Sequence, residues 1–324
     1  MKRFLLVIGF LCLAALLTLG GGAVYVHSSY TSPSQLDKDV NLVVPQGTGV
    51  RGIADLFFRQ NIVEDPLIFL IGVRVTGLDR ALRAGEYHFP AGVSPREAAE
   101  ILATGQTVKR FVTIPEGLRS GEIIERLSQI DGLVGDVEIL PTDGSLLPET
   151  YQFSLGDSRQ SIVDRMIAAH DAAITDLWPR REAGLPFDTP EEAIILASIV
   201  ERETGVAAER PRVAGVFVNR LRIKMRLQSD PTVAYAVSPD KRLDRPLSRA
   251  DLKFDSPYNT YVYAGLPPSP ITNPGRDAIA AVLNPAKTDE FYFVADGTGG
   301  HAFARTLDEH NRNVARWRKL NSGD

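Results

Sequence analysis

Residues 4–26 form an uninterrupted run of 23 positions without a charged side chain, immediately behind Lys2 and Arg3. A helix rises 1.5 Å per residue, so a run of this length crosses the roughly 30 Å of a bilayer's hydrocarbon core. Basic residues precede it, and the next charges, Asp37, Lys38 and Asp39, come well after it. That asymmetry predicts a single-pass anchor with residues 1–3 as a cytoplasmic tip and the rest of the chain outside. A cleaved signal peptide is the competing reading, because Gly20, Gly21, Gly22 and Ala23 supply small residues after an apolar stretch. The apolar run continues through Val24, Tyr25 and Val26 with no clean small-x-small site before a polar stretch, which favours the anchor.

The single cysteine, Cys12, lies inside this run, so everything beyond it is free of thiols. A disulfide framework, a thiolate metal site and a catalytic cysteine are all excluded there. A net charge of −4 argues against a nucleic-acid partner, which calls for a basic surface. No His, Asp or Glu grouping has metal-ligand spacing and no glycine loop has a phosphate-cradling pattern, so neither metal nor cofactor is expected.

Residues 27–40 are polar and serine-rich and read as a linker. One pattern then occurs three times: a short β-prone run, a Pro-x-Gly turn and an amphipathic helix. The turns are Pro45-Gln46-Gly47, Pro90-Ala91-Gly92 and Pro115-Glu116-Gly117. Proline ends the strand and glycine supplies the tight turn. Ser94 before Pro95 is a good helix start. Units of this kind predict an α+β class. Residues 41–107 read as a small α+β module that resembles the LysM type, a fold that grips N-acetylated glycans. A generic spacer is the alternative. Residues 108–324 read as a larger mixed α+β domain, with helical patterns over 161–178, 190–204 and 209–222 and a strand at 291–295.

The helix opened by Thr189-Pro190-Glu191-Glu192 carries two acids near its end, Glu201 and Glu203. Two residues apart on an α-helix, they point roughly 200° away from each other and cannot share a face. Ile195, Leu196, Ile199 and Val200 fall at the spacings that place them beside Glu203, whereas Glu201 projects to the other side, read as solvated. Burial disfavours the charged carboxylate, so Glu203 is expected to hold a proton near neutral pH, as a general acid must. A buried ion pair with Arg212, Arg220 or Arg222 is the bland alternative. Asn219, Gln228, Asp230, Tyr258, Asn259 and Tyr261 are candidate sugar-binding residues, since amides and tyrosine rings suit hydroxyl and N-acetyl groups; loop capping is the alternative for each. His301 is a weaker candidate base, and His170 and His310 read as ordinary surface or core residues.

The anchor, Ile114-Pro115-Glu116-Gly117, Leu147-Pro148-Glu149-Thr150-Tyr151 and Ala197-Ser198-Ile199-Val200-Glu201-Arg202-Glu203-Thr204 together resemble the YceG-like, endolytic murein transglycosylase family. So do Val216-Phe217-Val218-Asn219-Arg220-Leu221, Arg226-Leu227-Gln228-Ser229-Asp230-Pro231-Thr232, Ser256-Pro257-Tyr258-Asn259-Thr260-Tyr261 and Phe291-Tyr292-Phe293-Val294-Ala295-Asp296-Gly297. The resemblance spans the chain in order and implies a catalytic transglycosylase domain over 108–324, with Glu203, the second acid of the triplet, as the catalytic residue. It further implies an inner-membrane protein with a periplasmic catalytic domain. Such a protein is a lyase that cuts the MurNAc–GlcNAc bond of nascent peptidoglycan strands, leaves 1,6-anhydro-MurNAc ends and ends strand growth, with peptidoglycan synthases as the partners the resemblance implies. Arg202 stands where the family often has lysine, and Ser269 where glycine is common. Two other readings stay open: a lysozyme-type muramidase using Glu203 with Glu149, Asp230 or Glu201, and a non-catalytic peptidoglycan-binding scaffold.

Overall fold

The computed structural model describes residues 2–322, so Met1 and the last two residues lie outside the described part. The chain is mixed α+β and divides into two compact units, Met1–Arg110 with Gln152–Gly156, and Phe111–Tyr151 with Asp157–Asp324.

The first unit begins with α1 (Lys2–Thr31), whose stretch from Leu6 is long and apolar enough to cross a membrane. The helix runs past the predicted end at residue 26 and takes up the first part of the expected linker. Tyr30 supplies the reason, being only 3% exposed and seated in the core of this unit. Its ring lies where a Cβ on Gly72 would stand, about 2.3 Å from the nearest ring carbon, so glycine lets the two helices approach. Tertiary packing thereby stabilises a serine-rich turn that would be a marginal helix alone.

Strand β1 (Val40–Val44) leads through α2 (Val50–Arg59) and α3 (Pro66–Val75) to β2 (Gly85–Phe89), which pairs antiparallel with β1, Leu42 opposite Tyr87. Leu42, Val44, Tyr87 and Phe89 point inward onto Phe57, whose ring meets Phe69 and Phe89 edge-on. Helix α4 (Pro95–Thr104) opens with the reciprocal Ser94–Glu97 cap and buries Ala98, Ala99 and Leu102 in the same core. Helix α3 was not foreseen; its nearly continuous apolar run lacks the polar face that marks an amphipathic helix.

The division between units falls within β3 (Arg110–Thr113) and β4 (Thr150–Phe153), with α5 (Ser120–Ser128) between them. Each predicted strand–turn–helix step is present, from β1 to α2, β2 to α4 and β3 to α5. Gly47, Gly92 and Gly117 all adopt positive φ, between 70° and 79°, a conformation that favours glycine.

The second unit is built on α6 (Arg159–Leu177), α7 (Pro190–Glu203), α8 (Arg210–Arg222), α9 (Asp230–Val237) and α10 (Arg276–Leu283). Helix α7 packs on α8, α9 and α10, with Leu196, Ile199, Phe217, Ile279 and Val282 in the shared core. An antiparallel hairpin, β5 (Tyr292–Ala295) with β6 (His301–Ala304), and α11 (Leu307–Ser322) complete the unit. Phe293 stands edge-on to Phe217, pinning the hairpin to α8.

Candidate active site

Helix α7 positions the site. Thr189 accepts from the Glu192 N–H, and the Glu192 carboxylate accepts in return from the Thr189 N–H, at 3.3 and 3.2 Å. Every residue from Ala193 to Val200 is buried, so the helix is a core element on all faces. Extended backbone at Thr204 (φ −137°, ψ 129°) stops it, and Glu203 emerges as its last residue.

There Glu203 lines a cavity of about 460 Å³, with Arg220, Gln228, Asp230, Tyr261, His301 and His310 among the other walls, closed on one side by β5. The side chain keeps access to the cavity but is otherwise packed in protein. Burial pushes its carboxyl up to about 7. The hydrogen bond from Ser229 opposes that rise, Asp230 adds to it, and His301 and Arg220 oppose it. Its place in the last turn, at the negative end of the helix dipole, also disfavours the anion.

The Ser229 hydroxyl donates to Oε1 of Glu203 at 2.5 Å. Ser229 occupies the N-cap position of α9, yet its hydroxyl caps nothing. Its N–H donates to the Thr260 hydroxyl at 3.0 Å, and its carbonyl accepts from the Thr232 hydroxyl at 2.7 Å. Gln228, just before it, has a φ of 50°, a left-handed conformation costing about 1–2 kcal/mol for a residue with a Cβ. Non-glycine strain of this kind gathers where the surrounding structure imposes a geometry.

A second polar pair reaches the cavity through His301. Nδ1 of His301 lies 2.7 Å from one oxygen of Glu209, and the His301 N–H donates to the other at 2.9 Å. Burial alone would raise the Glu209 carboxyl, but these bonds outweigh it and hold it below its ordinary value. The carboxylate therefore claims Nδ1 of the ring. Arg220 is buried, donating to the carbonyls of Phe291 and Leu227, and tethers α8 to β5.

The predicted site residues separate into two groups. Gln228, Asp230 and Tyr261 line the cavity with Glu203, and the Tyr261 hydroxyl donates to Asp230 at 2.6 Å. Asn219, Tyr258 and Asn259 lie elsewhere. Asn219 donates to the carbonyls of Thr288 and Glu290, and the wholly buried Asn259 donates to those of Asp251, Leu252 and Phe254. Tyr258 pairs with the Ser269 hydroxyl and packs on Tyr235. All three shape loops. Arg220, Tyr292, His301 and His310 also line the cavity, and Ser229 and Glu209 bond to residues that do; Glu209 and Tyr292 carry no local signal in the sequence. His310 lines the cavity and stacks on Tyr292.

Glu201 requires a correction. Its side chain is 4% exposed rather than solvated. Arg210 bridges it to Glu116, at 3.1 and 2.6 Å, and the Gly275 N–H donates to it at 2.9 Å. Burial raises its carboxyl, with Glu116 adding to the effect and Gly275 and Arg210 opposing it. The arginines proposed as ion-pair partners of Glu203 are otherwise engaged: Arg212 pairs with Glu290, Arg222 donates to the Gly184 carbonyl, and Arg220 to carbonyls.

The YceG-like family model matches residues 42–316. An endolytic murein transglycosylase of Bacillus subtilis (strain 168) is 31% identical over 326 residues, covering 90% of this chain and 89% of that protein. One from Streptococcus pneumoniae (serotype 2, strain D39) is also 31% identical, covering 95% of this chain and 64% of the longer relative. A crystal structure of a yceG-like protein from Listeria monocytogenes superposes with a TM-score of 0.51 at 29% identity, covering 85% of this chain and 99% of that one.

Proposed function

This chain belongs to the YceG-like family, and on that premise we propose that it is an endolytic murein transglycosylase, a lyase that cuts peptidoglycan strands with Glu203 as its acid and base. The observation that carries the assignment of the acid is a carboxyl held protonated up to about pH 7 on the wall of a cavity large enough for sugar residues.

Glu203 gives its proton to the glycosidic oxygen as the bond from C1 of the muramyl residue breaks. The C6 hydroxyl of that residue then attacks C1, and the Glu203 carboxylate takes its proton, closing a 1,6-anhydro ring without consuming water. An internal hydroxyl held beside the reacting carbon replaces an activated water. As Glu203 becomes charged, the Ser229 bond to Oε1 strengthens, so it stabilises the transition state more than the resting enzyme. Gln228, Asp230 and Tyr261 are placed to meet sugar hydroxyls.

Hydrolysis of the lysozyme type is the second reading, and Asp230 favours it, since a carboxylate in the same cavity could activate water. Glu201 is taken up by Arg210, and Glu149 is not among the residues lining the cavity. Mass spectrometry of strands digested by residues 27–324 separates the readings. Anhydro ends support transglycosylation; reducing ends that incorporate labelled water overturn it.

In this reading α1 anchors the chain in the inner membrane with its N-terminus cytoplasmic, and the periplasmic second unit acts on nascent strands, beside their synthases. The first unit serves as a LysM-like glycan grip. An antiparallel strand pair closed over two helices supports that role.

A further inference from the structure

Beside the Glu203 cavity lies a smaller one of about 190 Å³ that the reaction above does not use. The two are lined by consecutive residues of the same helices, Glu203 and Asp230 in one, Arg202 and Pro231 in the other. Three guanidinium-bearing side chains, Arg119, Arg202 and Arg242, converge on it, against the single carboxylate of Glu122. That carboxylate is already engaged as the acceptor for the Arg119 N–H, at 2.8 Å.

The three cations are held in different ways. Arg119 is fixed: Nη1 donates to the carbonyls of Ser238, Pro239 and Lys241, and the guanidinium lies over the Tyr235 ring at 4.7 Å. These bonds fold the 238–241 loop so that Arg242 stands at the rim. Arg202 and Arg242 have no carboxylate at ion-pair distance among the described residues. Glu122 acts through space on both Arg202 and Arg119, joined by Glu201 at Arg202 and by Asp143 and Asp240 at Arg119. Arg202 and Arg242 are both exposed to solvent at the mouth of the cavity, and partial desolvation, with Arg242 and Arg119 close by, lowers the pKa of Arg202 from its ordinary value. Like charges gathered in a chain of net charge −4, with donors left over, form a receptor for an oxyanion. Guanidinium groups favour planar bidentate acceptors.

We propose that this arginine pocket binds a carboxylate of the peptide stem on the muramyl residue next to the cut, so that the enzyme prefers strands that still carry their peptides. The proposal rests on the murein reading above. A diphosphate at the lipid-linked end of a nascent strand offers similar chemistry, and the test separates the two.

The full chain in detergent is given strands with peptides intact, strands stripped of peptides by an amidase, and intact strands with the terminal diphosphate removed. Stripping is expected to lower kcat/KM of the wild type about tenfold or more, while removal of the diphosphate leaves it unchanged. Arg202→Gln and Arg242→Gln should lose that preference yet match the wild type on stripped strands, with Arg242→Lys retaining part of it. Equal losses on both substrates, no loss on either, or a preference that follows the diphosphate would each overturn the proposal. A separate measurement stands apart from catalysis. Glu203→Gln enzyme is titrated with N-acetylmuramyl-L-alanyl-D-glutamate and with its diamide. Tighter binding of the acid, abolished by Arg202→Gln, supports the pocket even if no strand is cut, and equal binding of acid and diamide overturns it.

Discussion

The Ser229 hydroxyl reaches Oε1 of Glu203 at 2.5 Å across 26 residues of sequence, leaving the N-terminus of α9 uncapped by its own N-cap residue. A hydroxyl that would stabilise the helix by about 1 kcal/mol is directed instead at one carboxyl oxygen. Substitution by alanine removes the donor where negative charge develops. Bonds to charged groups contribute about 1.5–3 kcal/mol, so Ser229→Ala should lower kcat roughly tenfold to a hundredfold. Its alkaline limb should move to higher pH, because the donor that favours the carboxylate is gone. An unchanged kcat and limb would show that the bond is incidental.

Glu203→Gln should lose at least two to three decades of activity, as expected for a general acid-base residue. The same change should stabilise the fold in alkali. The folded carboxyl is raised to about 7 while the unfolded one stays near its ordinary 4.5, so the folded state binds more protons between those values and wild-type stability falls as pH rises through them. Discounted for solvent in the cavity, the gain of the glutamine variant at pH 8 is about 1–2 kcal/mol, and it vanishes at pH 4. Urea unfolding at the two pH values measures it. Wild-type activity should decline above about pH 7.

At Glu201 the expectation is structural. Alanine there leaves Arg210 with Glu116 and the more distant, exposed Asp277 at 3.7 Å, and strips the Gly275 N–H of its acceptor, costing about 2–4 kcal/mol. Glu201→Gln keeps one acceptor oxygen for the two donors, Arg210 and Gly275, so it should lose about 1–3 kcal/mol of stability while kcat stays close to wild type. Unfolding curves and kcat decide. A loss of kcat in Glu201→Gln as deep as that of Glu203→Gln would undo the assignment of the acid.

Truncation should be sharply position-dependent. A chain beginning at residue 27 keeps Tyr30 in the first unit and should be soluble and active on isolated sacculi. One beginning at residue 32 loses that ring and opens a cavity against Gly72, costing about 3–5 kcal/mol of the first unit's stability. Proteolysis of the two proteins should cut residues 40–104 faster in the shorter one.

Much of this was written locally. The three Pro-x-Gly turns specify strand ends and helix starts by themselves, and the apolar neighbours of Glu203 mark it as set in a core. What stayed hidden depends on partners far along the chain. The cover over Glu201 comes from Glu116 and Gly275, and His301 is held by Glu209, 92 residues away. Asn219 and Asn259 show the complementary limit. An amide announces that it will bond, but its identity does not distinguish a sugar from a neighbouring carbonyl.

The Tyr30–Gly72 contact makes α1 a bracket rather than a leash. In the anchored arrangement proposed above, five helical residues beyond Val26 raise the first unit by only roughly 7–8 Å, with no swivel between bilayer and fold. Lengthening that stalk by two residues would turn the unit by roughly 200° about the helix axis. On that proposal, which face of the module looks toward the lipid surface is set by the phase of a single helical turn.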